Sequence, residues 1–279
     1  MRFNLGMRMF SLLLVGFGVL QGASPRLQGG RLLLKSASAL VLDQTTGQTL
    51  WEKQAGTSVP IASITKLMTA MVLLDAHLDP SELLTITDED KDVLRHSRSR
   101  LPVGTCLPRE QALLLALLAS ENRAAHALGR TFPGGLSVFV GAMNAKAKEL
   151  GLTGTRFEDP TGLSSNNVAS AHDLARIIGA AYLYPEIRDF TTRPETSIQA
   201  GRRNIQFPNT NALVRSPRWT IGLSKTGYIE EAGRCLVMQA MLANRPVVII
   251  LLDSLGKYSR LGDANRIKQW MEARLSSKG

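Results

Sequence analysis

The stretch Pro60-Ile61-Ala62-Ser63-Ile64-Thr65-Lys66-Leu67-Met68-Thr69 decides how the middle of this chain folds. Pro60 interrupts regular structure, and from Ser63 onward apolar side chains recur at helical spacing, at Ile64, Leu67, Met68, Met71 and Val72. The pattern predicts a largely buried helix that begins at Ser63. Lys66 then lies in the first turn, where the helix dipole disfavours a positive charge and an acidic residue would be stabilising.

Ser63 and Lys66 together form a Ser-x-x-Lys pair. A serine at this position can be an ordinary helix N-cap, but that role does not need a lysine one turn later. The helix dipole and partial burial both favour the neutral amine, and a neutral lysine beside a serine hydroxyl can take its proton. We therefore interpret Ser63 as a candidate nucleophile and Lys66 as its base.

Two more short motifs follow, Ser120-Glu121-Asn122 and Lys225-Thr226-Gly227. Ser120 lies at a break between two helical segments, where it can relay a proton to a leaving amine while the Asn122 amide binds a substrate backbone. Lys225 and Thr226 offer a cation and a hydroxyl beside a glycine, so a substrate carboxylate can approach the strand closely. Taken alone, each motif also fits a helix cap or a strand end.

The Ser-x-x-Lys pattern recurs at Ser254-Leu255-Gly256-Lys257, and the Ser-x-Asn pattern recurs at Ser164-Ser165-Asn166 and Ser165-Asn166-Asn167. Ser254 follows a predicted strand instead of opening a helix, so context separates the Ser63 pair from it. The four histidines show no metal-ligand spacing, and the chain has no Gly-x-Ser-x-Gly elbow or phosphate-binding loop. We expect neither a metal nor an organic cofactor.

The remaining pattern predicts an α+β fold, with an antiparallel sheet flanked by helices and an inserted, mostly helical subdomain. Residues 38–53 predict a hairpin. Helices are predicted at 113–119, 123–129, 138–150, 171–181 and 264–275, and strands at 219–225, 234–242 and 247–252. We expect one domain over 37–279, with a helical region at about 63–182 and a sheet region from 37–62 plus about 183–279.

Residues 1–23 have the outline of a secretory signal peptide, with Arg2 and Arg8 before an apolar run at 9–20. That run is shorter than the roughly 20 residues that span a bilayer, so we favour cleavage over anchoring, with a linker at 24–36. Loss of 1–23 lowers the formal charge from +10 to about +8. A basic exported protein is attracted to anionic wall polymers or lipid headgroups, and nucleic acid is not an expected partner.

Cys106 and Cys235 are expected to be unpaired, buried thiols. The last predicted helix is basic and amphipathic, with Ile267, Trp270 and Met271 on its apolar face. We expect this face to pack against the terminal strands, and loose association with a membrane surface is the alternative.

The chain resembles the low-molecular-mass penicillin-binding proteins, the D-alanyl-D-alanine carboxypeptidase and endopeptidase family, whose fold is β-lactamase/transpeptidase-like. The likeness covers about 38–252 and rests on residues 60–69, Ser120-Glu-Asn-Arg-Ala-Ala125, Phe157-Glu-Asp-Pro-Thr-Gly-Leu163 and Ser224-Lys-Thr-Gly-Tyr228. It implies catalytic roles for Ser63, Lys66 and Ser120. It implies substrate binding by Asn122, Lys225, Thr226, Gly227 and Tyr228, with the backbone N–H groups of Ser63 and Tyr228 forming an oxyanion hole.

Glu231-Ala-Gly-Arg-Cys235 and the short helix after Leu252 resemble the periplasmic endopeptidase branch. This likeness implies a periplasmic enzyme that cuts peptidoglycan cross-links between D-alanine and diaminopimelate through a Ser63 acyl-enzyme, with cell-wall remodelling proteins as partners. A D-alanyl-D-alanine carboxypeptidase and a non-catalytic peptidoglycan-binding protein on the same fold are the alternatives.

Two departures from class A β-lactamases bear on the fate of an acyl-enzyme. Ser120-Glu121-Asn122 replaces their Ser-Asp-Asn, and the segment near Glu158 lacks their Glu-x-x-Leu-Asn pattern. We therefore do not expect a glutamate-activated water. The resemblance implies that β-lactam antibiotics acylate Ser63 and leave slowly.

Overall fold

The computed structural model of the chain describes residues 32–276. The expected signal peptide at 1–23 lies outside the described residues, as does most of the expected linker. The helices are α1 (Lys66–Asp75), α2 (Arg109–Leu118), α3 (Asn122–Arg130), α4 (Gly135–Glu149), α5 (Ala171–Ala181), α6 (Pro185–Thr192) and α7 (Ser259–Ser276). The strands are β1 (Ser36–Asp43), β2 (Thr49–Lys53), β3 (Val59–Pro60), β4 (Leu83–Thr85), β5 (Cys106–Pro108), β6 (Val168–Ala169), β7 (Glu195–Ala200), β8 (Arg203–Pro208), β9 (Thr220–Ile229), β10 (Gly233–Leu242) and β11 (Arg245–Ser254).

A five-stranded antiparallel sheet in the order β2-β1-β11-β10-β9 forms the centre of the fold. β1 and β2 form the predicted hairpin, and β9, β10 and β11 form a meander. The first and last strands, β1 and β11, pair with each other, with Leu40 opposite Ile250. The predicted α+β class is confirmed, and β9 lies at one edge of the sheet.

The sheet buries apolar side chains on both faces because successive residues of a strand point to opposite sides. Val237 of β10 joins the larger hydrophobic cluster, which includes the helices of the insertion. Leu236, one residue earlier, joins the cluster on the other face together with Ile267 and Met271 of α7. The apolar face of the last helix therefore packs against the sheet, as expected.

The helix predicted to begin at Ser63 has a tighter first turn than expected. Residues Ala62–Thr65 form a 3-10 helix, and α1 proper begins at Lys66. Ala62 has a positive φ of 48°, which an alanine rarely adopts, and both β9 and the loop at 159–163 approach this turn closely. Leu67, Met68 and Met71 of α1 are fully buried, as expected for a helix with apolar side chains on all its faces.

Several boundaries differ from the predictions. α7 begins at Ser259, five residues before the predicted start, so it includes Arg260. Two short antiparallel pairs, β4–β5 and β7–β8, and helix α6 were not predicted, because their short, half-exposed segments show little hydrophobic periodicity. No helix within residues 32–276 has both the length and the apolar character needed to cross a bilayer.

The cysteine prediction is half right. Both thiols are free, as expected. Cys235 is buried and burial raises its pKa to about 11, but Cys106 is exposed, so the expectation that both are buried was wrong. Cys106 opens the three-residue strand β5 with its side chain on the outer face, while Leu107 takes the inner one.

Candidate active site

The side chain of Lys66 ends beside the hydroxyl of Ser63. The Lys66 Nζ lies 2.9 Å from Ser63 Oγ, 2.8 Å from Asn122 Oδ1 and 2.6 Å from the Thr161 carbonyl oxygen. Lys66 is fully buried, more than the partial burial expected. The helical turn between residues 63 and 66 places the two side chains on one face, because positions three apart on a helix are neighbours.

Burial lowers the pKa of Lys66 from its ordinary value of 10.5 to about 7, although the negative charges of Asp159, Glu121 and Asp92 act in the opposite direction. Near neutral pH a large fraction of the amine is therefore neutral, with two N–H donors and one lone pair. Two of its three partners, Asn122 Oδ1 and the Thr161 carbonyl, can only accept. In the neutral amine the lone pair is thus left for the Ser63 hydroxyl.

Ser120 occupies the single-turn break between α2 and α3. Its φ is +58°, in the left-handed region that non-glycine residues seldom occupy. This conformation aims the hydroxyl at β9, where Lys225 Nζ donates a 2.8 Å hydrogen bond to Ser120 Oγ. A strained backbone of this kind is commonly found at functional sites.

The other two residues of the second motif have separate tasks. Asn122 accepts from Lys66 through Oδ1 and donates from Nδ2 to Ser97 Oγ at 3.0 Å. Glu121 is buried and caps α3 by accepting from the Arg123 backbone N–H at 3.3 Å and from Ser99 Oγ at 2.5 Å. The acid between Ser120 and Asn122 is therefore used to hold the helix start and the neighbouring loop.

Lys225 is as deeply buried as Lys66, with 1% of its surface exposed. Its Nζ bonds Ser120 Oγ and the Thr226 carbonyl. Burial, together with the positive charges of Lys66 and Arg260, lowers the pKa of Lys225 well below its ordinary 10.5. The side chain thus faces the hydroxyl of Ser120, within the interior of the cleft.

Two glycines let the backbone of other segments reach Ser63. A Cβ at Gly227 would lie 2.9 Å from the Ile61 carbonyl oxygen and 3.2 Å from Ser63 N. A Cβ at Gly162, whose φ is +81°, would overlap the Ala62 carbonyl and lie 2.9 Å from Ser63 N. Edge strand β9 and the loop at 159–163 therefore flank the backbone of Ser63 from two directions.

Thr226 and Tyr228 flank Gly227 on β9. Thr226 Oγ1 forms a 2.7 Å hydrogen bond with Thr210 Oγ1, and Tyr228 is 55% exposed, with the Arg234 guanidinium 4.5 Å from its ring centroid. All eight predicted site residues thus lie on three segments that meet: the turn at 62–66, the α2–α3 junction and β9.

Sequence reasoning missed two members of this site. Thr161 supplies a carbonyl to Lys66, held in place because Asp159 accepts from the backbone N–H groups of Thr161 and Gly162. The Asp159-Pro160-Thr161-Gly162 turn was visible in the sequence, but its contact with Lys66 was not.

Arg260 is the second missed residue. Its Nη1 donates to the Gly227 carbonyl at 2.9 Å and to the Cys235 carbonyl at 3.0 Å. Among the residues that the structure describes, its buried Nε has no hydrogen-bond partner and no carboxylate pairs with it. No sequence signal marked it, because the helix that carries it starts earlier than its periodicity indicated.

Comparison with known proteins agrees with this geometry. A family model described as D-alanyl-D-alanine carboxypeptidase matches residues 28–255. The chain is 46% identical over 255 residues to a D-alanyl-D-alanine endopeptidase of Pseudomonas aeruginosa, covering 90% of this chain and 82% of that protein. It is 42% identical over 241 residues to a D-alanyl-D-alanine endopeptidase of Escherichia coli, covering 86% of this chain and 78% of that protein.

Among solved structures, the Streptomyces K15 DD-transpeptidase superposes with a TM-score of 0.81 at 28% identity, covering 88% of this chain and 99% of that chain. The β-lactamase/transpeptidase-like fold expected from the sequence is thereby confirmed. The family match spans all three motifs, Ser63 to Lys66, Ser120 to Asn122 and Lys225 to Gly227. The chain belongs to the D-alanyl-D-alanine carboxypeptidase family of serine peptidases, peptidase family S11.

Proposed function

We propose that this protein is a serine DD-peptidase that hydrolyses the D-alanyl-diaminopimelyl cross-links of peptidoglycan through a Ser63 acyl-enzyme. The observation that carries the proposal is the environment of Lys66 Nζ: two carbonyl-type acceptors take its N–H groups and leave its lone pair for the Ser63 hydroxyl. The two relatives at 46% and 42% identity are both named D-alanyl-D-alanine endopeptidases, which favours cross-link cleavage.

In the acylation step, Ser63 Oγ attacks the carbonyl carbon of D-alanine as its proton passes to Lys66 Nζ. The backbone N–H groups of Ser63 and Tyr228 stabilise the oxyanion of the tetrahedral intermediate. When that intermediate collapses, the C–N bond breaks and the leaving amine takes a proton from Ser120, whose hydroxyl Lys225 holds by a hydrogen bond. The proton that Lys66 received then replaces the one lost by Ser120, so Lys66 is neutral again. In deacylation Lys66 takes a proton from the attacking water, the bond between Ser63 Oγ and the acyl carbon breaks, and Lys66 returns the proton to Ser63.

A carboxylate lies next to the scissile amide nitrogen in both a cross-link to the D-centre of diaminopimelate and a terminal D-alanyl-D-alanine. Thr226 and Arg260 both lie at Gly227, and we assign this carboxylate to them. Arg260 is the stronger candidate because its guanidinium has no acidic partner among residues 32–276. A charge-assisted hydrogen bond to a carboxylate is stronger than the bonds to neutral carbonyls that it now makes.

The test is to incubate purified protein and its Ser63→Ala variant with cross-linked muropeptide dimers and with monomeric pentapeptide, following products by mass. We expect Ser63-dependent conversion of dimers to monomers. If neither substrate changes in a Ser63-dependent way, catalysis is excluded and the wall-binding alternative takes its place.

D-Alanyl-D-alanine carboxypeptidase activity is the second candidate, favoured by the description of the matching family model. If the protein only removes the terminal D-alanine from pentapeptide in the same experiment, it is a carboxypeptidase. Either peptidase forms the same acyl-enzyme, so penicillins should label Ser63 in both cases. Labelling therefore tests the nucleophile, and the peptide products decide the substrate.

We further propose that the chain acts in the periplasm after export, with residues 1–23 removed. The basic n-region and the short apolar run of those residues support export. Peptidoglycan, the substrate of the proposed reaction, lies in the same compartment. The N-terminal sequence of the protein purified from the periplasm would locate the cleavage.

A further inference from the structure

A cavity of about 630 Å³ opens beside Asn122 and Thr161, the two residues whose oxygens accept from Lys66. Its other walls come from residues 89–95, from residues 158–166 and from Glu231 in the turn between β9 and β10. A peptide acylated at Ser63 and bound through its backbone by Asn122 would lie against this cavity, because Asn122 forms part of its wall. The cavity is therefore placed to contact the residue on the acyl side of the cleaved bond.

Arg95 lies in the wall formed by residues 89–95 and bonds to the other two walls, at Leu163 and Glu231. Its Nε donates to the Leu163 carbonyl at 2.5 Å, and its Nη2 and Nη1 lie 2.9 and 2.8 Å from the two carboxylate oxygens of Glu231. The side chain of Arg95 is 22% exposed and that of Glu231 is 47% exposed. Water competes for an ion pair this open, so its partners can be exchanged at small cost.

Of the five other acidic side chains of the cavity, Glu89 is 76% exposed and lies 4.0 Å from Arg130, and the remaining four hold the walls in shape. Asp90 bonds His126 and Arg130. Glu158 accepts from Ser164 Oγ and Asn166 Nδ2. Asp92 and Asp159 accept from backbone N–H groups of their own loops, at residues 94, 95 and 97 and at residues 161, 162 and 164. Opening the Arg95–Glu231 pair dismantles none of these loops.

We propose that this cavity receives the side chain of the residue preceding the scissile D-alanine, and that the Arg95–Glu231 pair opens to bind a side-chain end bearing both an ammonium and a carboxylate. The inference rests on the proposed DD-peptidase function. The ligand carboxylate replaces Glu231 on Arg95, and the ligand ammonium pairs with Glu231. The free end of a diaminopimelate side chain has this chemistry.

The same exchange explains why other side chains are rejected. A lysine end would pair with Glu231 and leave the mostly buried Arg95 without an anion, whereas an acidic end would leave Glu231 unpaired. Discrimination by leaving a charge unpaired is a common source of specificity. Only an end with both charges restores the two interactions that the opened pair loses.

Binding to the Ser63→Ala variant tests the inference without turnover. The probes are tetrapeptides L-Ala-γ-D-Glu-X-D-Ala in which X is meso-diaminopimelate or L-lysine, titrated by calorimetry. We expect the diaminopimelate peptide to bind about tenfold more tightly, the size of one partly exposed charge-assisted contact. Equal dissociation constants for the two peptides would overturn the inference.

Variants then test whether Arg95 and Glu231 cause the preference for the diaminopimelate peptide. Arg95→Met and Glu231→Gln, each in the Ser63→Ala background, should abolish the tenfold difference. Arg98→Met removes an exposed cation from the same loop and does not touch the cavity, so it should preserve the difference. If Arg95→Met weakens the binding of both peptides by the same factor, Arg95 only supports the loop that contains Leu163, and the inference fails. Thermal unfolding of every variant checks that it is folded, and Glu231→Gln at a turn tip is the least disruptive.

The outcomes separate this inference from the function on which it rests. Ser63-dependent cleavage of dimers by the unaltered enzyme, with equal affinity for the two tetrapeptides, would keep the DD-peptidase proposal and remove the cavity assignment. If the enzyme neither cleaves the dimers nor binds the tetrapeptides, the DD-peptidase proposal and the cavity assignment are both wrong.

Discussion

Gly162 and Ser63 meet backbone to backbone: a Cβ at position 162 would lie 2.9 Å from Ser63 N and would overlap the carbonyl of Ala62. The loop that supplies the Thr161 carbonyl to Lys66 is thereby pressed against the turn that carries the nucleophile. The position of the Ser63 N–H, one of the two proposed oxyanion donors, depends on this contact.

Gly162→Ala should therefore impair both stability and acylation. The left-handed φ alone costs about 1–2 kcal/mol for a residue with a Cβ. Displacement of the Ser63 backbone should in addition lower the rate of acylation by a fluorescent penicillin about a hundredfold. Gly104→Ala is the matched control, because Gly104 has a φ of +86° and nothing within 4 Å of its Cβ position. Equal acylation rates in the two variants would show that the contact does not position Ser63.

Acylation should also depend on pH through Lys66. The reactive form is the neutral amine, and burial lowers the pKa of Lys66 to about 7. The neutral fraction, and with it the acylation rate, should rise as pH rises through about 7 and fall about tenfold for each pH unit below it. Stopped-flow acylation between pH 5 and 9 measures this. A rate that stays flat between pH 5.5 and 8 would rule out Lys66 as the base with this pKa.

Two substitutions of Ser120 should separate its chemistry from its backbone. Ser120→Ala and Ser120→Gly both remove the hydroxyl, so each should lower the acylation rate about 10²- to 10⁴-fold. Glycine accepts a φ of +58° without strain, so Ser120→Gly should be about 1 kcal/mol more stable than Ser120→Ala in urea unfolding. An alanine variant that acylates at the original rate would exclude Ser120 from proton transfer.

Arg260 should affect substrate affinity more than turnover. Arg260→Met should raise KM for a D-alanyl-D-alanine peptide about ten- to a hundredfold, the value of a charge-assisted hydrogen bond, with a smaller change in kcat. Arg260→Lys should restore part of the loss, because lysine keeps the charge without the planar fork. The substrate analogue with a C-terminal amide is the control. Wild type and Arg260→Met should cleave it equally, and a large difference between them would refute carboxylate binding.

The sequence predicted the sheet and most helices because their residues follow strong hydrophobic periods, as in α5, which has the predicted bounds 171–181. The Ser63–Lys66 pair was predicted partly because a lysine is unfavourable at a helix start, and a residue that opposes stability points to chemistry. The other site residues were predicted from the combination of three motifs and from the family resemblance. Thr161 and Arg260 were not predicted as site residues. Thr161 contacts Lys66 through its backbone carbonyl, and Arg260 reaches the site from a position far along the chain. Neither kind of contact leaves a local pattern.

The pairing of β1 with β11 has a consequence for how the chain folds. Val41 of β1 lies opposite Ile249 of β11, so the central sheet cannot close until β11, more than 200 residues further along, is available. Contacts of such long sequence separation are closed late and make folding slow. A chain that ends before β11 would keep β1 and β10 as unpaired edges, which promote aggregation. Completion of the catalytic cleft is thus tied to the synthesis of β11, since β9 joins β1 only through β10 and β11.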